Sequence, residues 1–232
     1  MSSDSACHGT HEGENCTGAH PPDVLVYVLN DRCYVNLTNQ CTARCVFCRR
    51  EEHPIVREYS LRLSREPDSK SYLREIGDPL RYREIVFCGF GEPTIRLKEL
   101  VEISRAVKER GAHVRLNTNG HGNLIHARDI VPEIAPYLDE ISISLDAPDE
   151  ETYENIVRPD FGRRSFDAVK EFVRLCVGRI AHVTVTAVEL PTVDLEACRR
   201  LAQSLGAGFR VRAYEPVVTT TSRYTDSNST ER

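Results

Sequence analysis

Three cysteines in the pattern Cys41-x-x-x-Cys45-x-x-Cys48 constrain this chain more than any other feature of its sequence. They come directly after a strand-like run, Tyr34 to Thr38, so the three thiols lie on one short loop. A [4Fe–4S] cluster normally takes four thiolates, and three would leave one iron with open coordination sites for an exchangeable ligand. The spacing therefore predicts an iron–sulfur cluster with one iron available for chemistry.

A zinc site or three unliganded thiols are the alternatives to a cluster. Structural zinc sites usually take four ligands from two paired halves. No second half follows in the core, because Cys88, Cys176 and Cys198 are isolated. Cys33, Cys176 and Cys198 fall within strand or helix patterns, where a free thiol behaves as a small buried hydrophobe. Cys88 precedes a glycine turn and can lie close to the cluster.

The composition favours a cytoplasmic protein and does not indicate binding to nucleic acid or to a membrane. Nine cysteines among 232 residues are, in a reducing compartment, more often metal ligands or buried thiols than disulfides. The net charge of -5 gives no general attraction to phosphate backbones. The sequence contains no run of about 18 apolar residues, which a membrane helix would need. The polar start of the chain lacks the apolar segment of a secretory signal.

The chain divides into one predicted core domain and two polar ends. Residues 1–22 and 217–232 lack apolar periodicity, which predicts disordered tails on either side of a core domain at 23–216. The first tail contains potential metal ligands without a recognised spacing, and we interpret them as incidental: Cys7, His8, His11, Cys16 and His20.

Short runs rich in Val and Ile alternate with helical patterns along the core. A hairpin is predicted first, with Val24–Leu29 turning at Asn30-Asp31 into Cys33–Thr38. The further predicted strands are Glu84–Cys88, His113–Thr118, Glu140–Leu145, His182–Val188 and Phe209–Ala213. The predicted helices are Asp68–Ile76, Leu97–Arg110, Phe166–Val177 and Leu195–Leu205. This alternation predicts parallel strands with crossover helices, in either an open doubly wound sheet or an incomplete barrel.

The cysteine loop, with the aromatic residue Phe47 before its third cysteine, resembles the signature of the radical S-adenosylmethionine (SAM) superfamily. The resemblance implies that Cys41, Cys45 and Cys48 hold the cluster, and that its open iron chelates the amino and carboxylate groups of SAM. It also implies an α/β fold, a partial (β/α)6 TIM-like barrel with an N-terminal β-hairpin extension.

Three later segments, each at the end of a predicted strand, also resemble superfamily motifs. Cys88–Thr94 is similar to the GGE motif, with Phe90 in place of the second glycine; Asn117–Gly120 is similar to the TNG turn, and Ser142–Pro148 to the SLD segment. Ordinary turns and a helix cap near Asp149 are the alternative interpretations. The residues that the resemblance assigns to SAM are Phe47, Gly89, Phe90, Gly91, Glu92, Asn119, Ser144, Asp146 and Arg158.

A closer resemblance, covering roughly residues 27–214, is to the TatD-associated radical SAM subgroup. It rests on Tyr34–Thr38, Phe87–Thr94, Asn117–Gly120 and Val131–Glu133. The subgroup name implies a TatD-type hydrolase as a neighbour and leaves the substrate unidentified. The superfamily resemblance further implies reductive cleavage of SAM to a 5′-deoxyadenosyl radical that abstracts hydrogen, a low-potential electron donor such as flavodoxin or ferredoxin, and oxygen sensitivity.

Residues that contact the substrate should lie on the loops that follow the strands. His121 and His126 are candidates for catalytic proton donors or substrate contacts, with solvated loop histidines as the alternative. Arg49 and Arg50 could attract an anionic substrate or an acidic electron donor, or be an exposed basic pair. The other candidates are Asn123, Arg128, Glu189, Arg212 and Tyr214.

Two other functions remain open at the level of the sequence. One is an activase that installs a glycyl radical on a larger protein, as a related radical SAM branch does. The other is a non-catalytic binding module in which the three cysteines hold a structural metal.

Overall fold

The computed structural model describes residues 23–214. The two predicted tails, residues 1–22 and 217–232, lie outside the described residues, as do Cys7 and Cys16. The core domain predicted at 23–216 stays a prediction, and its residues 215 and 216 also lie outside the described part of the chain.

The predicted hairpin at the start of the core is confirmed. Strand β1 (Val26–Leu29) pairs antiparallel with β2 (Arg32–Val35). The turn residues Asn30 and Asp31 have φ angles of 47° and 64°. Positive φ at both central residues is the geometry that matches the twist of a two-residue hairpin, and Asn and Asp tolerate it better than most residues.

The rest of the chain alternates short strands with helices. The remaining strands are β3 (Ile55–Val56), β4 (Tyr59–Ser60), β5 (Glu84–Phe87), β6 (Val114–Thr118), β7 (Glu140–Ser144), β8 (His182–Val188) and β9 (Gly208–Arg212). The helices are α1 (Ser69–Ile76), α2 (Leu97–Glu109), α3 (Gly122–His126), α4 (Val131–Ile134), α5 (Glu150–Val157), α6 (Arg164–Cys176) and α7 (Leu195–Ser204).

Seven strands form one sheet in the order β1-β2-β5-β6-β7-β8-β9. Strands β2 to β9 pair in parallel along this order, and β1 is the antiparallel extension. Because β1 and β9 do not pair with each other among the described residues, the barrel is open. The fold is therefore the predicted partial barrel of six parallel strands with a hairpin extension.

The two faces of the sheet differ in chemistry. Residues such as Ile85, Leu116 and Ile141 point to the outer face and are buried in the core beneath the helices. Residues at alternate positions, such as Asn117 and Ser142, line a cavity on the inner face. Since side chains alternate across a strand, each strand supplies both the apolar core and the polar interior.

The boundaries of the predicted elements differ from the observed ones by at most three residues, with the largest difference at the end of β2, and several short elements were not predicted. The hairpin of β3 and β4 and the helices α3 and α4 are too short to give a periodic signal. The helix expected near Asp149 is α5, and the Asp149 carboxylate accepts a hydrogen bond from the Thr152 backbone N–H. Asp149 therefore caps this helix, and Asp146 has a different role.

Among residues 23–214, no helix is both long and apolar enough to cross a membrane.

Candidate active site

The loop that carries Cys41, Cys45 and Cys48 is held by backbone hydrogen bonds to the end of α5. The Arg44 N–H donates to the Val157 carbonyl at 3.1 Å, and the Val46 N–H donates to the Ile156 carbonyl at 2.9 Å. Because these bonds involve backbone atoms between the cysteines, they fix the loop and leave the thiols available to a ligand. Cys41, Cys45 and Cys48 all line one cavity.

Burial of the thiols outweighs the positive charges of Arg50 near Cys41 and of Arg212 near Cys45. Burial raises the pKa of Cys41 to about 11, and burial likewise raises the pKa of Cys45. The Asn119 side-chain amide donates to the Cys41 sulfur at 3.6 Å. A metal stabilises thiolates that would otherwise stay protonated, so this loop has the character of a metal-binding loop.

The spread of the three sulfur atoms argues against a single zinc ion. Zinc binds sulfur at about 2.3 Å, which places tetrahedral ligands within about 4 Å of one another. Among residues 23–214, Glu84, His113 and Glu140 have potential ligand atoms that all lie within 4.8 Å of one another. The sulfur atoms of the three cysteines do not all lie this close together. A larger inorganic group fits the three thiols better than one ion.

The glycines of the segment 88–94 are required by contact with the chain that leads into the cysteine loop. A Cβ atom on Gly91 would lie 2.1 Å from the Thr38 carbonyl oxygen, and one on Gly89 would lie 2.4 Å from Asn36 Oδ1. The neighbouring Glu92 N–H donates to the Gln40 carbonyl at 2.7 Å. The glycines therefore let two backbone segments touch directly.

Glu92 is 2% exposed and links the chain that follows β5 to the end of β6. Its Oε1 accepts bonds from Thr94 Oγ1 and Thr118 Oγ1, both at 2.7 Å, and its Oε2 accepts the Asn119 N–H at 2.7 Å. Burial raises the pKa of Glu92, while the hydrogen bonds oppose that shift by favouring the carboxylate. The side chain thus orients the turn at residues 117–120 as well as lining the cavity.

Asp146 joins the ends of β7, β8 and β9. It has a φ of 59°, and its Oδ1 accepts bonds from the Val188 N–H at 2.9 Å and from Arg212 Nη2 at 3.0 Å. Burial raises the pKa of Asp146, and the positive charge of Arg212 opposes this. The Arg212 guanidinium also lies over the Phe47 ring at 5.9 Å, which connects β9 to the cysteine loop.

The cavity bounded by these elements has a volume of about 310 Å³, within the range of small-molecule sites. The structure brings together most of the residues that the resemblance assigned to the cluster or to SAM. Those that line the cavity are Cys41, Cys45, Phe47, Cys48, Gly89, Phe90, Gly91, Glu92, Asn119, Ser144 and Asp146. Phe90 also lines a second, smaller cavity beside Arg50 and Leu61.

Arg158, His121 and His126 do not line this cavity. Arg158 is exposed at the end of α5, with a φ of 49°. His121 is completely buried, and its two ring nitrogens bond to Thr42 Oγ1 at 2.8 Å and Tyr153 Oη at 2.7 Å. The His126 ring bonds to the Thr94 carbonyl at 2.7 Å. Neither histidine is the solvated loop residue of the alternative interpretation, and both hold neighbouring segments together.

The remaining substrate candidates divide in a similar way. Arg49 and Arg212 line the cavity. The others do not, and Arg50, Asn123 and Arg128 bond to Glu51, to the Ile130 N–H and to Glu133, respectively. Glu189 and Tyr214 are exposed.

Sequence reasoning missed four residues of the inner face: Asn117, Ser142, Thr186 and Arg210. Asn117, Ser142 and Arg210 each lie two positions before a residue that was identified, namely Asn119, Ser144 and Arg212. A period of two places side chains on the same face of a strand, so this signal was present in the sequence.

The donor atoms of the cavity fit the cofactors that the resemblance implies. Three thiols lie on one loop, and beside them Asn117 Oδ1 is a buried acceptor that no donor in residues 23–214 satisfies. A buried acceptor without a partner is costly, and an ammonium or hydroxyl group of a bound molecule would satisfy it.

The comparisons with known proteins agree with this geometry. The sequence pattern of the radical SAM superfamily matches residues 35–205. The "Probable GTP 3′,8-cyclase" of Thermococcus kodakarensis is 26% identical over 199 residues, which are 78% of this chain and 61% of that protein. A protein of the same name from Sulfurisphaera tokodaii is 28% identical, over 60% of this chain and 42% of that protein. The chain therefore spans about half the length of these relatives.

The fold has counterparts among solved structures. Streptococcus suis SuiB bound to S-adenosylmethionine superposes with a TM-score of 0.61 at 15% identity, over 80% of this chain and 41% of SuiB. At this identity the likeness concerns the fold alone.

Substitution of Gly91 by alanine should destabilise the protein by at least about 2 kcal/mol, because the new Cβ would overlap the Thr38 carbonyl oxygen. Urea denaturation of the anaerobically purified protein measures this. Gly208→Ala is the matched control, since its Cβ would lie 3.6 Å from the nearest atom, and we expect a change within about 0.5 kcal/mol. Equal stability of the two variants would contradict the close approach.

The free energy of unfolding should fall as the pH is lowered from about 6.5 to about 4. Burial lowers the pKa of His121 from 6.5 to about 4, so in that interval the unfolded chain takes up a proton that the folded protein does not. The contribution of His121 is about 3 kcal/mol over the interval. Urea denaturation of His121→Gln at several pH values should give a shallower dependence than wild type. The exposed His53 provides the control, and a His53→Gln variant with the same reduced slope would refute this assignment.

Proposed function

The chain belongs to the radical SAM superfamily, and on that premise we propose that it is an enzyme that generates a 5′-deoxyadenosyl radical and abstracts hydrogen from a substrate still to be identified. Members of this superfamily use a [4Fe–4S] cluster and SAM. The single observation that carries the proposal is that three thiols, a buried carboxylate and an unsatisfied amide oxygen face one cavity at the ends of parallel strands.

In this proposal Cys41, Cys45 and Cys48 hold the cluster. When bound, the cluster would supply one electron, taken from an external low-potential donor, to the sulfonium of SAM, and cleavage of the C5′–S bond would give methionine and the 5′-deoxyadenosyl radical. The Asn119 amide, which donates to the Cys41 sulfur, would orient that thiolate. The bonds from the loop to α5 hold the backbone between the cysteines in place.

The inner ends of the strands bind SAM in this proposal. Asn117 and Glu92 line the cavity, and their side-chain oxygens are acceptors suited to an ammonium or hydroxyl group. Ser144, on the neighbouring strand β7, and Asp146 line the same cavity. Arg158 is exposed away from the cavity, so Arg212, which lines it, is a better placed partner for a carboxylate.

The finer assignments of the sequence analysis stay predictions. These are the TatD-associated subgroup with its neighbouring hydrolase, a flavodoxin or ferredoxin as electron donor, a cytoplasmic location, and catalytic roles for His121 or His126. The curated relatives carry the name GTP 3′,8-cyclase, and the chain spans only part of them. A GTP-like nucleotide is therefore a reasonable trial substrate, and the reaction is open.

Replacement of any one of Cys41, Cys45 and Cys48 by alanine should abolish cluster assembly. The wild-type protein should contain about four irons and about four sulfides per chain after anaerobic reconstitution, and should form 5′-deoxyadenosine from SAM when dithionite is added. Iron, sulfide and product analysis measures this. Cys198→Ala is the matched control, because Cys198 is buried on α7 away from the loop, and it should retain the cluster.

Each alternative function predicts a different result. Zinc without acid-labile sulfide would favour the non-catalytic binding module, and an intact cluster that cleaves no SAM would rule out the enzyme. An activase would generate a glycyl radical on a protein partner, which EPR spectroscopy detects.

A further inference from the structure

The inner face of the sheet carries three arginines that the proposed cluster and SAM sites do not fully explain. Arg115 lies on β6, and Arg210 and Arg212 lie on β9. Arginine side chains are always charged in proteins, so each needs water or a negative partner.

Arg115 and Arg212 each have a carboxylate partner. Arg212 Nη2 bonds to Asp146 Oδ1 at 3.0 Å, and Arg115 Nη2 bonds to Glu84 Oε1 at 3.1 Å. Glu84 is shared, however, because Arg32 Nε also donates to its Oε1. One carboxylate therefore compensates two guanidinium groups, and Arg115 Nε, which is buried 3.1 Å from Glu84 Oε2, makes no well-aligned hydrogen bond within residues 23–214.

Arg210 forms no ion pair within residues 23–214. Its polar contact there is a bond of 3.4 Å from Nη2 to the Ser142 hydroxyl. Partial removal from water lowers the pKa of Arg210, and the charges of Arg115 and Arg212 lower it further. Arg210 is exposed to solvent because β9 is the edge strand of the open barrel. Its side chain thus lies near both arginines and glutamates, Arg115 and Arg212 on one hand and Glu84 and Glu140 on the other, with one weak neutral contact.

Arg210 lies where two cavities meet. It lines the upper cavity with the three thiols, and it also lines a lower cavity of about 630 Å³ at the opposite ends of the strands. The lower cavity is lined by four arginines and two glutamates, a formal charge of +4 − 2 = +2 with His113 neutral. The larger positive charge favours an anionic ligand.

A metal ion is the competing occupant of the lower cavity. Potential ligand atoms of Glu84, His113 and Glu140 lie within 4.8 Å of one another. Glu84 is already bonded to two guanidinium groups, and a cation there would be repelled by Arg32 and Arg115. The charge balance therefore disfavours a cation.

We propose that Arg210 and Arg115 form an anion-binding subsite on the inner face, which holds a phosphate or carboxylate group of the substrate below the SAM site. This inference rests on the proposed function, because that function identifies the ligand as the substrate. Two guanidinium groups match the oxygens of such a group bidentately. A substrate anchored here can extend along the inner face and place a C–H bond in the upper cavity.

Binding of two probes to the cluster-loaded protein tests the subsite. Pyrophosphate represents a phosphorylated substrate and succinate represents a dicarboxylate, and anaerobic calorimetry in the presence of saturating SAM gives their dissociation constants. We expect wild type to bind at least one probe, and the preferred probe identifies the anionic group. Arg210→Gln should bind that probe at least about tenfold more weakly, since a charged hydrogen bond is lost.

Matched variants separate the subsite from general effects of charge. Arg200→Gln removes one exposed arginine on α7 and should leave probe binding and SAM cleavage unchanged. Arg210→Lys keeps the charge without the planar fork and should bind with intermediate affinity. Iron and sulfide analysis confirms that Arg210→Gln is folded and loaded with the cluster.

Several results would overturn the subsite. These are no binding of either probe to SAM-saturated wild type, equal binding by Arg210→Gln, or tight binding of zinc in the lower cavity. Failure of the proposed function is a distinct outcome, since wild type would then bind the probe as expected and cleave no SAM.

Discussion

The contact between the turn at Gly91 and the chain before Cys41 is the constraint on which the rest of the site depends. The Glu92 N–H bonds to the Gln40 carbonyl, and the approach is so close that only glycine fits at position 91. The Glu92 carboxylate then connects this turn to the end of β6, because it accepts hydrogen bonds from Thr118 and Asn119. A buried carboxylate is costly, and its hydrogen bonds offset this cost only when both strand ends are in place. The cysteine loop and the turns proposed to bind SAM are therefore positioned as one unit.

The open sheet creates a polar interior next to an apolar core. The outer face packs against the helices and supplies most of the buried hydrophobic residues. The inner face is lined by amide, hydroxyl, carboxylate and guanidinium groups, which are tolerated because the cavity lies between them. Two buried or partly buried ion pairs, Arg115 with Glu84 and Arg212 with Asp146, fix β6 to its neighbour β5 and β9 to the chain that follows β7. Removal of one partner would leave the charge of the other uncompensated. The two members of each pair must therefore stay in contact, which restricts the relative positions of the strands that carry them.

Much of the fold could be predicted from the sequence because its signals are local. The hairpin follows from Asn30 and Asp31 between two apolar runs, and the parallel strands follow from the alternation with amphipathic helices. The elements that were missed, β3 with β4 and the helices α3 and α4, have between two and five residues and give no periodicity. The open barrel was expected from the family resemblance, since alternation alone is also compatible with a doubly wound sheet.

The sequence by itself determined the chemistry of the site, because the three thiols and the turn residues are close together along the chain or at successive strand ends. Only the tertiary structure decided which polar residues face the cavity. It buried His121 against Thr42 and Tyr153, turned Arg158 to the surface, and brought Arg115 and Arg210 into one interior. The physical reason is that ion pairs and side-chain direction depend on contacts between residues far apart in sequence, such as Arg212 and Phe47, which are 165 positions apart. No local pattern specifies such contacts.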